Sequence, residues 1–224
     1  MKSTRQMNGT ILGLALGLLS PIADAAVVEY SDQSSFISDT SANLQSVPNV
    51  GGISAVTTTG GLLTVALASA GGIYTGTSSG FNVVNFVGKS GTEDFNIAVN
   101  SAAIYAFGLT VYESTSTAVT GCNWNPCVDS TFTFRLFSGA NLLGAYTITP
   151  DDNVYDFYGY WSSAPITKIE IRDVTANVDN EFFGRFYTGA TAYSAPPVPL
   201  PAAGWLMLSG LGGLGFLGRR NKAA

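Results

Sequence analysis

The chain has 224 residues, of which 46% are hydrophobic and 11% are charged, and it contains no histidine. The missing histidine excludes Ser-His-Asp and Cys-His catalysis, and two cysteines are too few for a four-thiolate zinc site. Between residues 26 and 195, five cations stand against fourteen acids, which gives a net charge near −9. This acidic body lacks the positive field that nucleic-acid binding needs, so we expect no nucleic-acid partner.

The N-terminal segment has the order of a secretory signal peptide. Lys2 and Arg5 precede an apolar run, and small residues then lead up to Ala25. This pattern predicts a signal peptide over residues 1–25, which signal peptidase cleaves between Ala25 and Ala26. We therefore expect an exported protein.

A short helix is expected next, and most of the body after it alternates. Ser31 or Asp32 is the predicted N-cap, because these side chains accept hydrogen bonds from the free N–H groups of a first helical turn. Farther along, Phe132 and Phe134 share one face of a segment whose other face carries Arg135 and threonines. This period of two is typical of antiparallel sheets that are buried on one side.

Nine strands are predicted in this way, separated by turns at roughly ten-residue intervals. One of these turns is expected at residues 162–165, where serine, alanine and proline interrupt the alternation. We therefore predict an all-β fold, an antiparallel two-sheet sandwich of jelly-roll type, over residues 26–193. The predicted strands are 62–68, 81–87, 95–99, 104–112, 131–137, 142–149, 155–161, 166–172 and 181–187.

Four residues separate the two cysteines, Cys122 and Cys127. In an oxidising compartment such a pair is expected to form a disulfide that closes a loop between two strands. Trp124 lies inside that loop. Its ring would either stack on a sugar or cover one end of the sandwich, because tryptophan is usually largely buried.

Two acidic clusters lie in predicted turns, and they contain Asp151, Asp152 and Asp179. Carboxylate oxygens at loop ends are the ligands that Ca²⁺ takes, so one structural calcium ion is a candidate cofactor. The alternative is ordinary turn chemistry, since Asp and Asn favour turns without any metal.

One predicted strand is aromatic on both faces, with Tyr155, Phe157, Tyr158, Tyr160 and Trp161 in close succession. One face must pack on the core. The other face would form a platform for a glycan, with Tyr158 and Tyr160 as candidate contacts, or would be covered by a loop.

The C-terminal end combines a stiff spacer with an apolar tail. Residues 194–201 are rich in proline, and residues 202–224 form an apolar segment that ends in a basic cluster with Arg219 and Arg220. As a helix, the apolar run from Leu200 to Leu217 nearly spans a bilayer, and the basic cluster would stay on the cytoplasmic side. The pattern predicts a transmembrane segment with the body outside the inner membrane.

In its details this end resembles the PEP-CTERM sorting signals, in their VPLPA variant. The residues that carry the resemblance are Val198, Pro199, Leu200, Pro201, Ala202, Arg219 and Arg220. The resemblance implies that an exosortase processes the tail of a precursor held in the inner membrane. It also implies that the mature protein goes to the cell surface or extracellular matrix of a Gram-negative bacterium.

Three functions are compatible with these features. The main interpretation is a structural or adhesive protein of an exopolysaccharide or biofilm matrix, and not an enzyme. The alternative is a lectin-like module, stabilised by calcium, that binds exopolysaccharide. A secreted glycoside hydrolase or lyase is the weakest of the three, because the acids are scattered over turns and form no marked pair.

Overall fold

The computed structural model describes residues 25–68, 71–78, 81–88, 94–113, 130–151, 153–175 and 181–194. Residues 1–24 of the predicted signal peptide, the sorting motif and the apolar tail lie outside these ranges, so the signal peptide, the motif and the tail stay predictions. Within the ranges, none of the chain forms a helix with the length and apolar character that crossing a membrane requires.

The described residues form fourteen strands and one helix. In chain order these are β1 (Val27–Tyr30), α1 (Gln33–Thr40), β2 (Asn43–Gln45), β3 (Gly51–Ile53), β4 (Ala55–Thr57), β5 (Leu63–Leu67), β6 (Gly71–Ser78), β7 (Phe81–Gly88), β8 (Phe95–Val99), β9 (Ile104–Tyr112), β10 (Phe132–Ser138), β11 (Asn141–Ile148), β12 (Tyr155–Ile166), β13 (Lys168–Asp173) and β14 (Phe182–Gly189).

The strands make two antiparallel sheets. The eight-stranded sheet has the order β1-β12-β9-β14-β7-β6-β3, with β2 paired to β14 beside that path. The six-stranded sheet has the order β11-β10-β13-β8-β5-β4. Every pairing is antiparallel. The expected all-β, two-sheet antiparallel sandwich is therefore confirmed.

The main core lies between the inner faces of the two sheets, and aromatic rings fill much of it. The ring of Phe183 contacts Phe95 at a centroid distance of 4.8 Å and Phe132 at 5.2 Å, both edge to face. These rings come from both sheets and are fully buried. Each such side chain contributes roughly 1.5–3 kcal/mol through the apolar surface that it removes from water.

A second, smaller core lies on the outer face of the eight-stranded sheet, under α1. Asp32 is the N-cap of this helix, as the sequence predicts, and its carboxylate accepts from the Ser35 N–H at 2.7 Å. The helix buries Phe36, whose ring lies 5.2 Å from that of Phe157 in β12. The helix thus covers part of this face, and it is the one helix among the described residues.

The predicted turn at residues 162–165 is wrong, because β12 continues through it to Ile166. The register with β9 shifts between Trp161 and Ile166, so the ladder of hydrogen bonds is interrupted where Pro165 has no N–H to donate. Ser162 is buried and pairs with Val27 of β1 on the other side. An irregularity in the strand accommodates the proline, and the chain passes to the other sheet at residue 167 instead.

Both ends of the described body are fastened to the same part of β12. The Ala26 N–H donates to Ser163 Oγ at 3.0 Å, and the Ser163 N–H donates to the Ala26 carbonyl at 2.9 Å. The Tyr193 N–H donates to the Ser162 carbonyl at 2.9 Å. Trp161 adds a hydrogen bond from its indole N–H to the carbonyl of residue 191 at 2.7 Å.

Candidate functional site

Tyr158 and Tyr160, the predicted glycan contacts, lie on the inner face of β12. Tyr160 is only 2% exposed, and its ring contacts Tyr146 at 4.6 Å within the main core. Tyr158 is half-buried and packs against the same core. Burial raises the pKa of both phenols above the ordinary value. The core covers the ring of Tyr160, which does not fit the prediction that Tyr160 contacts a glycan. The contact predicted for the half-buried Tyr158 stays a prediction.

On the other face of β12, Tyr155 is the first of a row of aromatic side chains that crosses the sheet. Tyr155 pairs with Tyr112 of β9, and Tyr112 pairs with Phe182 of β14. Phe182 pairs with residue 85 of β7, which pairs with Tyr74 of β6. Partners in register point to the same side of a sheet. We call Tyr155, Tyr112, Phe182 and Tyr74 the aromatic row.

The rings at the β12 end of the aromatic row contact one another. The Tyr112 ring lies 4.7 Å from Tyr155, with the planes at 31°, and 6.2 Å from Phe182, with the planes at 48°. All three side chains are half-buried. They form a continuous aromatic surface beside the part of the face that α1 covers.

Tyr74, at the other end of the row, is 45% exposed and lies over glycines. A Cβ on Gly72 would be 3.0 Å from Tyr74 Cε2, and one on Gly51 would be 3.7 Å from Tyr74 Cδ1. The absence of side chains at these positions lets one ring face rest on the backbone. The opposite ring face is then available to a ligand.

A bulge in β14 adds a cation to this surface. Between Gly184 and Tyr187, β14 uses one residue more than β9 to cover the same length, and Arg185 in the bulge has a φ of 48°. Bulges of this kind re-aim a side chain and are frequent at functional sites. The Arg185 Cζ lies 5.3 Å from the centroid of the Tyr155 ring. A guanidinium therefore lies next to the aromatic row.

Acidic residues meet at the start of β12, close to the aromatic row. The Asp151 N–H donates to Asp156 Oδ2 at 2.5 Å. Burial raises the pKa of Tyr158 most, and the charges of Asp156, Asp151 and Glu113 raise it further. No set of three ligating side chains able to hold a metal occurs among the described residues.

Several predicted site residues lie outside the described residues. These are Cys122, Cys127, Trp124, Asp152, Asp179 and the sorting residues 198–202, 219 and 220. The disulfide, the calcium ligands and the tryptophan contact therefore stay predictions. The segment with Trp124 follows β9 directly after Tyr112 and Glu113.

Four residues of this surface were not predicted as site residues: Tyr74, Tyr112, Phe182 and Arg185. Tyr112 is the last residue of a predicted strand, and this position was one signal in the sequence that its ring could belong to a site. The other signal was the alternation in β12, which separates Tyr155 from Tyr158 and Tyr160. Which face lies outside depends on the second sheet and cannot be read from one strand.

No protein-family model matches the chain, and no curated protein matches it. Solved structures similar to it include a point mutant of the family 29 carbohydrate-binding module CBM29-2, with 14% identity and a TM-score of 0.38, covering 70% of this chain and 99% of that one. Another is a family 29 carbohydrate-binding module, with 13% identity and a TM-score of 0.38, covering 71% and 98%. A third is the family 11 carbohydrate-binding module of a cellulosomal cellulase from Clostridium thermocellum, with 8% identity and a TM-score of 0.36, covering 69% and 100%. Likeness at this level assigns neither a fold nor a ligand to this chain.

Proposed function

We propose that the protein binds a polysaccharide along the aromatic row on the outer face of the eight-stranded sheet. The observation that carries this proposal is the common register of Tyr155, Tyr112, Phe182 and Tyr74 across the sheet. Four inter-strand spacings of ~4.8 Å separate the two ends, so the row is about 19 Å long. This length accommodates several sugar units of an extended chain.

Aromatic ring faces carry partial negative charge, and the C–H groups on a sugar ring face carry partial positive charge. The open face of Tyr74 and the half-buried rings of Tyr112 and Phe182 offer such contacts. A binding protein of this kind needs no catalytic pair, so we propose that it is not an enzyme.

We propose further that this module is an exported matrix or surface protein, anchored and then processed through its C-terminal tail. The signal peptide, the apolar tail and the resemblance to the sorting signals support export and an exosortase as partner. The jelly-roll assignment belongs to the same proposal. Its support is that the chain changes sheet repeatedly between β8 and β14.

The test is affinity gel electrophoresis of the full chain in detergent, with hydroxyethyl cellulose, dextran and xylan as neutral probes. We expect retardation by at least one of them. Tyr74→Ala should weaken that binding roughly tenfold, or about 1.4 kcal/mol, because the variant loses an aromatic side chain whose open ring face contacts the ligand. Because Tyr74 is exposed, the melting temperature should not change.

Leu142→Ala is the matched control. Leu142 is 50% exposed and lies on β11, in the other sheet. This variant should bind as the unmodified chain does. Equal affinity of the Tyr74→Ala variant and the unmodified chain, or no retardation by any of the three probes, would contradict the proposal.

A further inference from the structure

The outer face of the six-stranded sheet carries a concentration of positive charge on an otherwise acidic body. Phe134 and Leu136 of β10 point into the core, so Arg135 between them points outward. The same alternation places Lys168 and Arg172 of β13 on this face. We call Arg135, Lys168, Arg172 and their shared partner Glu170 the basic face.

One carboxylate serves all three cations. Glu170 Oε2 lies 3.1 Å from Arg135 Nη1 and 3.5 Å from Arg172 Nη2, and Glu170 Oε1 lies 2.8 Å from Lys168 Nζ. Three positive charges against one negative charge leave a net charge of +2 on this group. The body between residues 26 and 195 has a net charge near −9, so this local excess is of opposite sign to its surroundings.

The Arg172 guanidinium is hydrogen-bonded within the protein, whereas the side chains of Arg135 and Lys168 face solvent. Arg172 donates to the Phe95 carbonyl at 2.8 Å and to Asn96 Oδ1 at 2.7 Å. The side chains of Arg135 and Lys168 are 43% and 41% exposed. Among the described residues, Glu170 is the one hydrogen-bond partner that either side chain has.

Phe137 holds these two cations side by side. The Phe137 ring points outward and is nevertheless buried. Lys168 Nζ lies 4.2 Å from its centroid and Arg135 Cζ lies 5.3 Å from it. Cation–π contacts of this kind fix where the charges lie. Two cations are therefore presented together, each with N–H donors left for a ligand.

Uncharged, polar side chains surround the cations and extend across the sheet. Thr133 and Thr147 pair next to them, and Asn96, Thr64 and Thr57 follow across β8, β5 and β4. Among the described residues, two other acids lie beside these strands, Asp94 and Asp173, both at the Arg172 end, where Asp94 accepts from the Asp173 N–H at 2.9 Å. The surface therefore combines two exposed cations with a field of hydroxyl and amide groups.

We infer that the basic face binds a polysaccharide that bears carboxylate groups, a polyuronate, separately from the aromatic row. Sparse carboxylates match the two exposed cations, and sugar hydroxyls match the threonines. Nucleic acid carries a charge about every 1.7 Å along a duplex, so the acidic body would repel it more strongly than a polyuronate, whose charges are farther apart. With one glycan surface on each sheet, the protein would join two polysaccharide chains.

The test compares polygalacturonate with methyl-esterified polygalacturonate, which has the same backbone without the charge, in binding to the full chain. We expect the acid form to bind at least roughly tenfold more tightly at low salt, with the difference lost as salt rises. The double variant Arg135→Gln/Lys168→Gln should lose the difference. The charge-conserving double variant Arg135→Lys/Lys168→Arg should keep most of it.

Glu170→Gln should increase the affinity for polygalacturonate, and a misfolded variant could not show such an increase. It raises the net charge of the basic face from +2 to +3 and releases Arg135 and Lys168, so polygalacturonate should bind severalfold more tightly. Tyr74→Ala should leave the charge-dependent part of the binding unchanged, which separates this inference from the proposed function. Equal binding of both forms of the polymer, or tighter binding of single-stranded DNA or phosphatidylserine vesicles than of polygalacturonate, would overturn it.

Discussion

The ring of Phe36 in α1 rests directly on the backbone of Gly159 in β12. A Cβ placed on Gly159 would be 2.7 Å from Phe36 Cδ2 and 2.8 Å from Phe157 Cε1. Gly108, the register partner of Gly159 in β9, lies under the same two rings. Two glycines on neighbouring strands therefore form the shallow site in which the helix is seated.

Gly159→Ala should destabilise the protein by about 1–3 kcal/mol, because the added methyl group must displace two buried rings. For a domain of this size, that is a fall in Tm of several degrees. Thermal unfolding followed by circular dichroism measures it.

Gly76→Ala is the control, since a Cβ on Gly76 would meet nothing within 4 Å. Its effect should stay within about 0.5 kcal/mol, as for an exposed substitution. If both variants melted at the same temperature, the tight contact between α1 and β12 would not be part of the solution structure.

Glu170 should make the stability of the six-stranded sheet depend on pH. Its hydrogen bond with Lys168 lowers the pKa of the carboxyl group most, burial opposes this, and the charges of Arg172, Lys168 and Arg135 lower it further. A folded-state pKa below the unfolded value of ~4.3 stabilises the native state above that pH. The contribution is lost as the pH falls through the folded-state pKa.

Glu170→Gln should therefore lower the free energy of unfolding at pH 7 by about 1 kcal/mol, the upper range for a partly exposed ion pair. The difference between the variant and the unmodified chain should shrink below pH ~4 and vanish once Glu170 is protonated. Urea unfolding at pH 7 and pH 3 measures both values. A difference that is the same at the two pH values would contradict the assignment.

Calcium should raise the melting temperature if the acidic turns hold the predicted ion. An ion that binds only the folded chain stabilises it by about 2.7 kcal/mol at a hundredfold excess over Kd. At roughly 2–4 °C per kcal/mol, millimolar calcium should raise Tm by several degrees, and a chelator should reverse the shift. Asp152→Ala and Asp179→Ala identify the cluster that supplies the ligands. If neither calcium nor chelator changed Tm, the predicted calcium site would be contradicted and these acids would be ordinary turn residues.

The C-terminal tail should be removed in cells that contain the cognate exosortase. Intact-mass measurement of surface-located protein should then find a chain that lacks residues 205–224. Replacing Pro199 and Pro201 by alanine in the sorting motif should retain the tail on the precursor. An intact C-terminus on surface-located protein would reduce the tail to a plain membrane anchor.

The strands that the sequence predicts best are those with strict alternation. Phe132 and Phe134 in β10 and Ile169 and Ile171 in β13 are all buried, as the period of two requires. By contrast, β6 was missed because its glycines disguise the alternation and glycine disfavours strands. Strands of three residues, such as β3 and β4, are too short for any period to show.

The aromatic row could not be predicted from the sequence, for a different reason. Tyr74, Tyr112, Tyr155 and Phe182 belong to four strands that are far apart in the chain, and only the pairing of the strands brings them into line. Local alternation indicates which residues share one face of a strand. Which of the two faces meets the second sheet depends on the tertiary structure. Tyr160 was therefore predicted on an open face, although it lies in the main core.

If the predicted tail tethers the protein to a support, the attachment of both ends of the body to Ser162 and Ser163 would determine how the molecule is oriented there. Tyr193 lies beside Trp161, and six residue steps along β12, about 20 Å, separate Trp161 from Tyr155. A tether attached there would leave the aromatic row at the distal end of the sandwich. The row would then point away from the supporting surface, within reach of polymer in the surrounding medium.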